Sequence, residues 1–249
     1  MSNFIDVKDI GINAVSHSRM KTHEGCPRKA MFKFVQKLKE PGNEAMNRGL
    51  AMHKELEDWV NLTLHNKHEE GDTVSIPRTK IYDKIRSDLA EVMEWAINRW
   101  GKMSNEREYL IFPEQQVAFD KEWLQCDWFG ANAWMRVVYD LTAYSPDKKR
   151  WELWDYKSGK VYDDHDQQAD LYALSAFKQG AEQVTVKFYY LDKDMVQPYH
   201  YDVSEVAGLL DTILSRAAAV TEDRTWATNP SWKCKWCHFQ KAKGGPCVH

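Results

Sequence analysis

Apolar residues return every three or four positions through "NEAMNRGLAMHKELEDWVNLTLH" (43–65), so Met46, Leu50, His53, Leu56 and Val60 fall on one face of a predicted helix. Upstream, "AVSHSRMKTHEGCPRKAMFKFVQK" (14–37) is interrupted at Pro27, which predicts two short helices flanking Cys26. "NKHEEGDTVSIPRTK" is polar with Gly and Pro and reads as a loop, followed by a helix over 80–101. Past Pro113 the texture changes to β-branched and aromatic runs. "EQQVAFDKEW", "ANAWMRVVYDLTAYS" and "RWELWDYKS" predict a three-stranded antiparallel meander, with "SPDKK" turning between the last two. A helix over 163–179, strands in "EQVTVKFYYLDKD" and "VQPYHYDV", and an amphipathic helix over 203–221 follow. The closing "WKCKWCHFQKAKGGPCVH" is short, basic and rich in cysteine. This order predicts an α/β core with a helical cap, not a parallel doubly wound sheet.

At 249 residues, 43% hydrophobic and 29% charged, the chain is an ordinary globular protein with material for a sizeable core. Its net charge of −3 excludes a uniformly basic nucleic-acid binder but leaves room for a local basic groove. No basic leader precedes an apolar run, and no stretch approaches the roughly 18 apolar residues of a membrane helix, so a cytoplasmic protein from a bacterium or phage, without membrane association, is expected. Five cysteines in such a chain read as metal ligands or core thiols, not as a disulfide framework. Most of the eleven tryptophans are expected in the core or in groove walls. No GxxxxGK[ST] occurs, so any helicase is a separate protein.

The candidate chemistry centres on "WDYKSGK" (154–160). On a strand, Asp155 and Lys157 project to one face, about 7 Å apart at their backbones. The preceding strand ends its "RVVYD" at Asp140, which a tight hairpin brings beside Asp155. Two carboxylates on one hard cation suit Mg2+ or Mn2+ acting on phosphate esters, with Lys157 placed to stabilise developing negative charge. An isolated acid-x-lysine triplet usually sits in water. Here "WELW" and the "LT" after Asp140 suggest half-buried strands, where unpaired charge is costly. His53 lies on the apolar stripe of its helix, where a histidine can equally be a core residue, and Gly49 one turn earlier leaves room for a close approach. Gln168 and Tyr172, one turn apart, either orient a phosphate or cap the core. Cys234 and Cys237 form a CxxC, with Cys247 nine intervening residues later; a fourth ligand must come from Cys26, His238 or His249. Spacing alone favours zinc over an iron–sulfur cluster, and Cys126 reads as a core thiol.

Taken together these segments resemble one family. "SHSRMKTHEGCPRKAMFKFV", "NRGLAMHKELEDW", "VVYDLTAY", "WDYKSGK" and "QADLY" are similar, in order, to the motifs of the RecB-like branch of the PD-(D/E)xK nucleases, the branch of AddB and the CRISPR-associated adaptation nuclease. The resemblance implies a restriction-endonuclease-like core, a mixed central sheet flanked by helices, with an N-terminal helical region and a C-terminal iron–sulfur staple. It implies one nuclease domain over 1–249: a helical part (1–105), the core (106–222) and a cysteine-rich tail (223–249) packing back on Cys26. It further implies that His53, Asp140 and Asp155 hold the catalytic Mg2+ or Mn2+, that Lys157 polarises the attacking water, and that Gln168 and Tyr172 support the site. Cys26, Cys234, Cys237 and Cys247 would hold a 4Fe-4S cluster, reversing the preference for zinc. Val137 stands where the family often has glycine, and Glu114 where it often has an acid.

The expected function is a metal-dependent DNA nuclease, a single-strand-preferring exonuclease in end processing or recombination, working on single strands or duplex ends beside a separate helicase or recombination protein. Arg28 and Lys29, with "WKCKW" and "KAK" in the tail, combine positive charge with flat rings, as single-strand channels do. The other readings are a non-catalytic DNA-binding module stapled by iron–sulfur or zinc, and a CRISPR-type nuclease trimming spacer precursors.

Overall fold

The computed structural model describes residues 12, 14–65, 76–98, 108–161 and 165–249. Helices α1 (His17–Gly25) and α2 (Pro27–Ala30) flank Cys26, and a π-turn (Met31–Val35) continues the second. Cys26 is extended because proline at the first helical position keeps the preceding residue out of the helical region. Next come α3 (Glu44–His65) and α4 (Lys80–Trp95). Only the second half of the predicted α3 stripe is core: Leu56 and Val60 are buried, whereas Met46 and Leu50 are 52% and 64% exposed. The first turns of α3 are held by polar contacts instead, with Arg48 paired to Asp192. Helix α4 stops short of its predicted end because Ala96 accepts the Leu110 amide at 2.8 Å and Ile97–Asn98 (β1) pairs antiparallel with Glu108–Tyr109 (β2). Residues 99–101 of that predicted helix lie outside the described residues.

The central sheet has six strands: β3 (Ile111–Phe119), β4 (Gln125–Cys126), β5 (Met135–Tyr144), β6 (Arg150–Lys157), β7 (Gln183–Tyr190) and β8 (Met195–Asp202). Their order is β4-β3-β5-β6-β7-β8. The first predicted strand ends early because Asp120 Oδ1 accepts the amides of Glu122 and Leu124 at 3.1 and 2.9 Å, folding its tail into a turn. β5 and β6 form the predicted antiparallel hairpin. Helix α5 (Asp166–Phe177) then carries the chain to β7, which lies parallel to β6, while β8 returns antiparallel. Pro198 is tolerated because β8 is an edge strand. The sheet is therefore mixed and flanked by helices. A short 3-10 turn capped by Asp202 leads into α6 (Val206–Thr221).

The chain packs as two compact units. One contains Asn43–Val117 and Val137–Leu209. Its core sets Leu56, Val60, Ile85 and Leu89 against Leu141, Trp154, Tyr156 and Tyr189. Within it Lys187 Nζ lies 2.6 Å from Glu152 and 3.4 Å from Asp88, and Tyr189 donates to Asp88 at 2.7 Å. The other unit contains the described residues up to Gly42, Ala118–Arg136 and Leu210–His249. There the Phe32 and Phe239 rings meet at 5.4 Å, and His23 Nε2 lies 2.9 Å from Asp223. No helix among the described residues is long and apolar enough to cross a membrane.

Candidate active site

β5–β6 pairing runs from Tyr144↔Trp151 to Leu141↔Trp154. One residue beyond, Asp140 Oδ2 accepts the Tyr156 amide at 2.5 Å, so a carboxylate takes over where the ladder ends. From α3, His53 Nδ1 approaches Asp140 Oδ1 to 3.3 Å, with its ring edge-on to Tyr156 at 5.9 Å. From β3 comes Glu114, whose φ of 48° is unusual for a strand residue. Such a local irregularity bends a strand and re-aims the side chain. His53, Glu114 and Asp140 each offer a ligand atom, all within 4.8 Å of one another; among the described residues this is the group with metal-ligand spacing.

Asp155 stands outside that grouping, and both its oxygens are already engaged. Lys157 Nζ lies 2.7 Å from Oδ1, while Gln168 Nε2 and the Tyr172 hydroxyl donate to Oδ2 at 2.7 and 2.8 Å. Gln168 also accepts from Lys157 at 2.7 Å and donates to Tyr172 at 2.8 Å. The i, i+4 pair on α5 thus locks the acid and lysine of β6 into one closed network. Phe188, opposite Asp155 on β7, supports the lysine, whose Nζ lies 5.1 Å from the ring centroid. Gly49 does leave room for a close approach: an added Cβ would lie 2.9 Å from Ser158 Oγ, so the glycine lets α3 come near the end of β6. Asp192 reinforces that approach by binding Arg48 and accepting the Gly159 amide at 2.8 Å.

The electrostatics follow from crowding acids in a half-buried space. Burial and the neighbouring Asp155 charge push the Asp140 carboxyl up, against the opposing pull of His53 and the Tyr156 amide. Burial and the Asp140 charge push Glu114 up to about 7. Burial works against protonated His53, but its bond to Asp140 and the charges of Asp140 and Asp155 outweigh this and raise it to about 9. The Tyr156 hydroxyl is buried with no hydrogen-bond partner among the described residues. Three carboxylates and one imidazole thus offer oxygen and nitrogen ligand atoms, beside an ammonium that has no lone pair to give. This donor set fits a hard divalent cation, which would relieve the repulsion that holds the protons in place.

A family model of the PD-(D/E)XK nuclease superfamily matches residues 14–242. The chain belongs to this superfamily. No curated protein matches it. A solved structure described as the crystal structure of SSO0001 is similar at 13% identity with a TM-score of 0.37, over 91% of this chain and 84% of that one.

In this PD-(D/E)XK protein the match takes in His53, Glu114, Asp140, Asp155, Lys157, Gln168 and Tyr172, and it ends before Cys247. The structure brings the six predicted site residues into one unit and adds Glu114 to the metal-ligand group. Glu114 was marked in the sequence only by its place, since the backbone reversal that turns it inward has no local signal. Cys26, Cys234, Cys237 and Cys247 all lie in the other unit, as free, partly exposed thiols. Asn229 Nδ2 reaches the Gly25 carbonyl at 3.1 Å and Arg28 N the Ala227 carbonyl at 3.1 Å, which ties the Cys26 turn to the first residues of the tail. No three of these thiols share the 4.8 Å spacing of a metal-ligand group among the described residues. Lys29 is paired with Glu40 at 2.9 Å, and the buried Arg28 Nε has no hydrogen-bond partner among the described residues.

Proposed function

We propose that this chain is a Mg2+- or Mn2+-dependent deoxyribonuclease, a single-strand-preferring exonuclease that hydrolyses phosphodiester bonds in cytoplasmic DNA end processing or recombination. One observation carries the reading: His53, Glu114 and Asp140 converge within ligand spacing beside the Asp155–Lys157 pair. His53, Asp140 and Asp155, joined by Glu114, would hold the cation. A bound divalent ion supplies a water of lowered pKa and neutralises charge on the phosphoryl oxygens. Asp155 and Gln168 keep the Lys157 ammonium at the site, where it polarises the attacking water and offsets charge that develops on the phosphate. Tyr172 orients Asp155 through its hydroxyl and keeps that oxygen from swinging away. Incubating the protein with labelled single-stranded DNA and Mn2+, beside Asp155→Ala and Lys157→Ala, tests the assignment. Degradation by the parent alone is expected; equal degradation by both variants removes the site, and none with any metal favours a binding module.

We further propose the RecB-like branch, with Cys26, Cys234, Cys237 and Cys247 holding a structural 4Fe-4S cluster. The likeness of the Cys26 segment and the cysteine tail to that branch supports a cluster, and four thiolates are the ligand set a cluster prefers, whereas zinc also accepts histidine. Visible absorbance and iron content that vanish in Cys234→Ser are expected. A colourless protein carrying stoichiometric zinc would rule the cluster out.

A further inference from the structure

Large aromatics are seldom left in water, because burying one contributes more than burying almost any other side chain. Trp232 and Trp236 are 71% and 67% exposed, and among the described residues they are the tryptophans classed as exposed. They lie at the two ends of a 3-10 turn (Trp232–Trp236) capped by Ser231, whose hydroxyl accepts the Lys233 amide. Each carries a lysine over its face: Lys233 Nζ lies 6.0 Å from the Trp232 ring and Lys235 Nζ 5.2 Å from that of Trp236. Gln240 bonds the Lys235 carbonyl at 2.9 Å and leads into a second short turn bearing Lys241 and Lys243.

The charge here runs against the rest of the chain. From Thr225 to His249 there are four lysines and no Asp or Glu, although the whole chain has a net charge of −3. No ion pair among the described residues involves these four lysines, whereas Lys29, Lys33, Lys149 and Lys187 are all paired with carboxylates. Free ammonium groups around exposed indoles are complementary to a ligand with both anionic and flat apolar parts. A single nucleic-acid strand has this composition; a duplex hides its base faces. Four residues of 3-10 turn rise about 8 Å. That exceeds the roughly 3.4 Å between stacked nucleotides along one duplex strand, and at three residues per turn the two rings also point about 120° apart, so they suit separate, unstacked bases.

We propose that Trp232 and Trp236 form a base-stacking platform for single-stranded DNA, with Lys233, Lys235, Lys241 and Lys243 touching its phosphates. This rests on the nuclease reading for its choice of ligand but uses none of the residues of the candidate active site. Binding of a labelled oligothymidylate is measured in chelator, so that no cleavage intervenes. Trp232→Ala and Trp236→Ala each weaken affinity about tenfold, within the range for loss of one stacked base. Phenylalanine at both positions retains most of the affinity, which separates a missing stack from a misfolded tail. Phe129→Ala removes another ring, 85% exposed, and leaves binding unchanged. Lys233→Ala with Lys235→Ala makes the dependence of log affinity on log salt shallower, by about 0.7 in slope for each phosphate that is no longer neutralised. A doubly Trp→Ala protein that binds as tightly as the parent overturns the platform while the nuclease reading stands. A parent that binds no single strand, yet degrades duplex ends with Mn2+, overturns the platform and leaves the active site in place; failure of both removes the two together.

Discussion

The Lys157 ammonium holds Asp155 Oδ1 and Gln168 Oε1 together, at the end of strand β6. Lys157→Ala is expected to cut the turnover rate by about 100- to 1000-fold, the scale for removing one oriented charge-stabilising group, and to lower the melting temperature as well, because it leaves the buried Asp155 without its ammonium partner. Glu114 and His53 set the pH dependence. Glu114 binds its proton more tightly in the fold, about 7 against an ordinary 4.5, so the stability it contributes is full below 4.5 and lost as pH rises through 7. In chelator, Glu114→Gln therefore gains on the parent as pH rises through this window and melts higher by about pH 8. A constant gap between the two melting curves would show that Glu114 is not perturbed. His53, raised from 6.5 to about 9, contributes stability below 6.5 that is lost as pH climbs through 9. Since ligands must be deprotonated, the rise in melting temperature caused by Mn2+ is expected to be larger at about pH 9 than at about pH 6.

At the scale of elements, the site is made where regular structure is interrupted: a ladder ends at Leu141↔Trp154, and Glu114 takes a positive φ within β3. Helix α3 passes close to Ser158 at Gly49, where an added Cβ would lie 2.9 Å from the serine Oγ. Alanine is about 1 kcal/mol better than glycine inside a helix, so the two effects oppose each other in Gly49→Ala. The double-mutant cycle separates them. Gly49→Ala in the Ser158→Ala background is expected to stabilise, and in the native background to lower activity by displacing His53; identical effects in both backgrounds would show that Ser158 does not limit the approach of α3. The periodicity of α3 was legible in its sequence. That its first two turns would expose Met46 and Leu50 was not, because exposure depends on what lies opposite.

For the whole molecule, the buried charges of the sheet are the most sensitive point. Lys187 neutralises Glu152 and Asp88, which are 3% and 1% exposed. Lys187→Met leaves Glu152 without an ammonium partner and Asp88 with Lys84 and the Tyr189 hydroxyl, and is expected to cost about 3–5 kcal/mol in denaturant unfolding. A loss under about 1 kcal/mol would mean that Lys84 and Tyr189 suffice. Glu152 and Lys187 carried no sign of this pairing, since alternation alone marks Glu152 as one more polar strand residue. The ordered series of helices and strands, the hairpin uniting Asp140 with Asp155, and the Asp-x-Lys and Gln-x-x-x-Tyr spacings are local quantities, and the sequence by itself determined them through period and turn chemistry. The parallel pairing of β6 with β7, the inward turn of Glu114, the capture of Asp155 by Lys157, Gln168 and Tyr172, and the spacing of the cysteines were decided only by the tertiary structure. Each depends on which distant segments share a buried volume, and the cost of an unpaired charge there is set by its surroundings, not by its neighbours in the chain.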